Sequence, residues 1–100
     1  MSKVEKLNEE ERQTLTKSHP NWQIVKGREA IYRALKFKSF SEAWSFMTRV
    51  ALYAEKINHH PEWSNVYSRV EVTLTTHSCD GLSELDAKMA RFIDRVAANN

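Results

Sequence analysis

Cysteine, glycine and proline are nearly absent from this chain, which has one, two and two of them in 100 residues. The lone Cys79 rules out an internal disulfide and fits a reducing compartment. So few glycines and prolines leave no room for a flexible linker, and no repeat of fixed period is present. No apolar run approaches the roughly 18 residues of a membrane span. The opening MSKVEKLNEEER has no apolar signal core and is too acidic for a transit peptide. A cytoplasmic protein is expected, with nuclear residence left open. There is no glycine-rich phosphate loop and no Asn-x-Ser/Thr site. Charge of one sign is also missing: the net charge is +2, with acidic and basic residues alternating, so no face for direct nucleic-acid contact is expected.

What is present is one domain's worth of periodic sequence, predicted to fold as a single unit over 1–100. Asn8 with Glu11 has the form of a capping box and predicts a helix over about 9–17, thinly apolar through Leu15. Two antiparallel strands follow, over about 22–25 and 29–38, turned at Gly27. In the second, Ile31, Leu35 and Phe37 share a face that Arg33 interrupts. Ser39 with Glu42 predicts a box at the head of a long helix over 40–57. Its apolar series Ala43, Met47, Val50, Ala51, Ala54 and Ile57 runs beside a second stripe of Phe46, Val50, Tyr53 and Ile57, widened by Trp44 and Leu52. A helix apolar on two sides is buried on two sides. A subunit interface carried by Phe46 and Tyr53 is the expected second cover, with the N-terminal helix as the alternative. EWSNVY and RVEVTLTT predict a strand hairpin, and Ser83 with Asp86 caps a last helix through Leu85, Met89, Phe92, Ile93 and Val96. The order α-ββ-α-ββ-α predicts an α+β two-layer sandwich, a four-stranded antiparallel sheet with three helices on one face.

The chemistry-bearing residues fall at element ends. His59 and His60 stand side by side after the long helix, and Pro61 forces His60 toward an extended conformation. Adjacent side chains then point in opposite directions, which is poor geometry for chelating one metal. His77 and Cys79 lie just past the fourth strand. If strands three and four pair as a hairpin, one or other of the tandem histidines comes near them. Three readings compete for such a cluster: a zinc site, acid–base catalysis by groups with an ordinary pKa of about 6.5, or exposed histidines with no role. Asp86 has a structural task in its cap, Glu55 suits a solvent-facing ion pair, and Cys79 suits a small buried filler or a thiol paired with histidine.

The stretch EKINHHPEWSNVYSRVEVTLTTH resembles the signature of the pterin-4a-carbinolamine dehydratases, whose animal members double as dimerisation cofactors of a homeodomain transcription factor. Glu55-Lys56, Asn58-His59-His60-Pro61, Asn65-Val66-Tyr67 and Thr76-His77 carry the match, and FMTRVALYAEK and GLSELD extend it. The resemblance implies dehydration of 4a-hydroxytetrahydropterin to quinonoid dihydropterin, which recycles tetrahydrobiopterin after aromatic amino acid hydroxylation, with no metal and no cofactor. It implies catalysis by His59, His60 and His77, with His60 as the main acid–base group. Glu55, Asn58, Pro61, Thr76, Ser78, Cys79 and Asp86 would bind substrate, Glu55 and Asp86 either by orienting histidines or by meeting the pterin amide. Asn58 stands where many relatives carry Asp. The implied partners are the pterin, further copies of the chain in a dimer or dimer of dimers through helix 40–57, and a transcription-factor dimerisation segment on the same helix.

Overall fold

The computed structural model describes residues 4–99. Its elements are α1 (Glu9–Ser18), β1 (Gln23–Ile24), β2 (Ile31–Lys36), α2 (Phe40–Ile57), β3 (Glu62–Val66), β4 (Arg69–Leu74), a 3-10 turn (His77–Cys79) and α3 (Glu84–Ala98). The strands form one antiparallel sheet in the order β1-β2-β4-β3. This is the α+β arrangement that the alternation of elements predicts.

Period-2 patterning decides which face of the sheet is covered. Ile31 and Leu35 of β2 and Val70, Val72 and Leu74 of β4 are buried, while Ala34, Lys36 and Arg69 on the opposite face are exposed. The helices supply Leu15, then Ala43, Phe46, Val50 and Ala54, then Met89, Ala90, Ile93 and Val96, to one continuous core with that face. Arg33 lies on the covered face without breaking it, because Asp94 of α3 accepts from both its guanidinium and the buried Trp22 Nε1. Trp63 packs against the core, half-buried.

The helix starts are locally encoded. Asn8 with Glu11 and Ser83 with Asp86 form reciprocal capping boxes. Ser39 accepts from the Glu42 N–H at 3.1 Å, but the reciprocal bond of a box is not made. The first hairpin is shorter than predicted. Gly27, at φ +80°, takes the left-handed turn, and Val25 N–H to Ala30 O (2.9 Å) closes the ladder.

The second stripe of α2 is covered differently from the expectation. Tyr53 stacks on Phe92 of α3 with ring centroids 4.1 Å apart, and Phe46 is 1% exposed in the core. Neither a subunit interface nor α1 is needed to cover these two rings, because Phe92 of α3 covers Tyr53 and Phe37 packs on Phe46 with ring centroids 5.0 Å apart. Ala51, placed on the buried series by its spacing, is exposed. What remains uncovered on α2 is Phe40, Trp44 and Leu52, at 47%, 56% and 69% exposure.

Candidate active site

The end of α2 places the tandem histidines. Asn58 caps the helix in the left-handed region, at φ 52° and ψ 46°, a conformation that asparagine tolerates better than most residues. His59 N–H then donates back to Ala54 O at 3.0 Å, which anchors the chain as it turns. Pro61 follows and keeps His60 out of the helical region. The two rings diverge as expected: the His59 side chain is 9% exposed and that of His60 is 55% exposed.

His59 is held from beneath. Its Nε2 lies 2.6 Å from Oδ1 of the fully buried Asp86. Oδ2 of the same group accepts from Thr76 Oγ1 at 2.7 Å and from Ser83 N–H at 2.9 Å. Ser83 Oγ meets Thr76 Oγ1 at 2.7 Å, and Leu85 N–H donates to Ser83 Oγ at 3.2 Å. With Thr76 donating to Asp86, Ser83 donates to Thr76, so the network is internally consistent. A carboxylate can only accept, which puts a proton on Nε2 of His59, so that the neutral ring would carry its lone pair on Nδ1.

The other two histidines repeat the pattern at the surface. His60 Nε2 meets Glu55 Oε2, one turn and a residue back, at 2.6 Å. His77 Nε2 meets Glu62 Oε2 at 3.1 Å. Arg28 forks onto Glu62 through two bonds of 2.9 and 2.7 Å. Its guanidinium, with help from His77, holds the Glu62 carboxyl down to about 2. Pairing of β3 with β4 brings His77 beside the start of β3, as the hairpin predicts.

Asn58, His59, His60, Thr76, His77 and Ser78 line one open cleft of about 610 Å³, with Ile57 and Leu85 as apolar wall. Other residues expected to touch substrate lie elsewhere. Asp86 is under the wall with every oxygen engaged, so it orients His59 and does not reach the cleft. Glu55 stands behind His60, with 77% of its side chain exposed. The Cys79 thiol turns toward Thr76 O and Gly81 O, both at 3.6 Å, and Pro61 shapes the backbone without lining the cleft. Among the described residues, no group of three or more His, Cys, Asp or Glu side chains is arranged to hold a metal ion. Each imidazole has its own carboxylate instead. Glu62 and Arg28 were not foreseen. Glu62 had a signal, as an acidic residue at the mouth of the β3–β4 hairpin opposite His77; Arg28, more than thirty positions away, had none.

A family description of pterin 4 alpha carbinolamine dehydratase matches residues 5–96. A protein of Burkholderia vietnamiensis, provisionally named as a pterin-4-alpha-carbinolamine dehydratase, is 56% identical over 96 residues, covering 96% of this chain and 94% of that protein. One of Burkholderia multivorans, named likewise, is 57% identical over the same shares. A crystal structure from Brucella melitensis, described as a transcriptional coactivator/pterin dehydratase, superposes with a TM-score of 0.90 at 54% identity, covering 92% of this chain and 98% of that one. A pterin dehydratase-like protein described as a RuBisCO assembly factor of the alpha-carboxysome shares the fold, at 20% identity and a TM-score of 0.68 over 77% of this chain and 89% of that one. By the extent of the match and by this geometry, the chain belongs to the pterin 4 alpha carbinolamine dehydratase family.

Proposed function

We propose that the chain removes water from 4a-hydroxytetrahydropterin to give quinonoid dihydropterin, by metal-free acid–base catalysis in the histidine cleft. The observation that carries this reading is the convergence on one cleft of imidazoles that each meet a carboxylate through Nε2. The reaction breaks the C4a–O bond, takes a proton from N5, and gives a proton to the departing hydroxyl, so no net proton is consumed. It needs a base and an acid near neutrality, and imidazoles supply both. His60 is the main acid–base group in this assignment. It is more than half exposed and can exchange its proton with water after each turnover. His59, locked by buried Asp86, is the rigid partner that binds the pterin edge, and His77, lining the same cleft, helps to stabilise the leaving hydroxyl. Ser78 and Asn58 offer hydrogen bonds to the ring, against the apolar wall of Ile57 and Leu85, while the Thr76 hydroxyl, engaged with Asp86 and Ser83, supports the cleft from beneath. Tetrahydrobiopterin recycling in the cytoplasm is the setting that this reaction serves.

The test is to generate the carbinolamine in place with a hydroxylase and follow its conversion optically, with and without the protein, in chelator. A rate above the spontaneous one that survives chelator, and falls about a hundredfold in His60→Ala, is expected. A wild-type rate equal to buffer, with a folded protein, would end this reading.

A second reading is carried by a separate observation, the uncovered face of α2. Phe40 and Trp44 stack there with ring centroids 6.0 Å apart, and Leu52, about two turns further along the helix, is exposed as they are. This face suits self-assembly of the chain or docking of a partner helix, such as a transcription-factor dimerisation segment.

A further inference from the structure

Arg28 lies in the turn between β1 and β2, and Glu62 opens β3 at the far edge of the sheet. β4 runs between β2 and β3, so the guanidinium reaches past the end of that strand to meet the carboxylate. The contact is bidentate, with Nη1 donating to Oε1 at 2.9 Å and Nη2 to Oε2 at 2.7 Å. The same Oε2 accepts from His77 Nε2 at 3.1 Å. One carboxylate therefore ties together a turn, a strand start and the 3-10 turn that carries His77.

The backbone of that 3-10 turn is fixed by other bonds. Thr76 N–H donates to Gly81 O at 2.8 Å, Gly81 N–H returns to Thr76 O at 3.2 Å, and Asp80 N–H donates to His77 O at 3.1 Å. These bonds place the Cα of His77 but not its ring. The side chain is 80% exposed, so no packing holds it. Among the described residues, Glu62 is the hydrogen-bond partner that the ring has. An exposed ion pair contributes little to folding, so a rigid fork at this position matters chiefly for geometry.

We propose that Glu62, braced by Arg28, is a positioning residue for His77, fixing the Nε2–H tautomer and leaving Nδ1 as the nitrogen available to substrate. This rests on the reading of the cleft as a dehydration site. Because the Arg28 guanidinium and His77 hold its carboxyl down to about 2, Glu62 accepts and never donates at neutral pH. That demands a proton on the ring nitrogen facing it. The arrangement copies in exposed form what buried Asp86 does for His59.

The test uses Glu62→Gln, Arg28→Gln and the exchange Arg28→Glu with Glu62→Arg, each checked for folding by circular dichroism. Two quantities are read: the tautomer of His77 from its ring nitrogen-15 shifts at neutral pH, and kcat and KM for dehydration. Glu62→Gln is expected to mix the tautomers of His77 and lower kcat about tenfold, with KM changed by less than about twofold. Arg28→Gln leaves the acceptor in place but frees it, so a smaller loss in the same direction is expected. The exchange variant re-forms the ion pair yet presents a guanidinium to His77, and it should not recover kcat. Recovery in that variant, or a Glu62→Gln enzyme with unchanged tautomer and kcat, would overturn the proposal. If the wild type fails to dehydrate the carbinolamine, the reading of the cleft falls, and the tautomer of His77 in Glu62→Gln still decides whether Glu62 positions the ring.

Discussion

Removing the Asp86 carboxylate should damage folding and chemistry by separable amounts. The group is fully buried and accepts from His59 Nε2, Thr76 Oγ1 and Ser83 N–H at 2.6, 2.7 and 2.9 Å. Asp86→Ala leaves those donors without an acceptor and removes half of the box that starts α3. Each orphaned buried donor costs about 1–3 kcal/mol, and Thr76 can turn its hydroxyl elsewhere, so a total of roughly 3–5 kcal/mol is expected. A domain of this size has about 5–15 kcal/mol in all. At about 4–8 °C per kcal/mol, the midpoint should fall by roughly 12–40 °C. Asp86→Asn keeps the shape but replaces one acceptor with a donor. It should cost only about 1–3 kcal/mol. It should nevertheless slow dehydration more than stability alone explains, because an amide N–H facing His59 selects the other tautomer. Thermal unfolding by circular dichroism and the dehydration rate, measured on the same samples, separate the two effects. A midpoint for Asp86→Ala within about 3 °C of wild type would refute the account of this network.

Other outcomes follow from the same structure. The Glu62 carboxyl is lowered from its ordinary 4.5 to about 2 in the folded chain, so its stabilisation is present above about pH 4.5 and is lost as pH falls toward 2. Glu62→Gln should therefore be less stable than wild type at neutral pH, by about 0.5 kcal/mol for so exposed a pair, and the gap should close by pH 2 in acid titrations; a gap that persists there has another origin. Trp44→Ser with Leu52→Ser should lower the solution mass by light scattering while leaving the fold intact, and an unchanged mass would remove the α2 face from any assembly. Phe46→Ala, by contrast, should cost about 3–5 kcal/mol in urea unfolding, since the ring is 1% exposed, and a loss under about 1 kcal/mol would contradict its place in the core.

Local signals carried most of the fold. The Asn8 and Ser83 boxes mark the starts of α1 and α3, and the alternation of Val70, Val72 and Leu74 marks the covered face of β4. Hairpin pairing of β3 with β4 was enough to bring His77 toward the tandem histidines. What periodicity could not tell was which neighbour covers an apolar stripe. Phe46 and Tyr53 read as an interface because what covers them, Phe37 beside Phe46 and Phe92 of α3 on Tyr53, is set by tertiary packing that helix periodicity does not carry. The site shows the same division. The histidines were legible from the quoted signature. The Glu62–Arg28 fork was not, since an ion pair closed across the sheet leaves no local trace. Asp86 was legible twice over, as a helix cap and as a family acid, but not its full burial or its 2.6 Å bond to His59, which depend on how α3 packs.

The most direct measurement is the single-turnover rate of carbinolamine dehydration by wild type beside His59→Ala, His60→Ala and His77→Ala, at neutral pH in chelator. Metal-free catalysis by paired imidazoles predicts a wild-type rate well above the spontaneous one, a loss in every variant, and the largest loss, about a hundredfold, in His60→Ala. A folded wild type no faster than buffer, or three variants as fast as wild type, would contradict it.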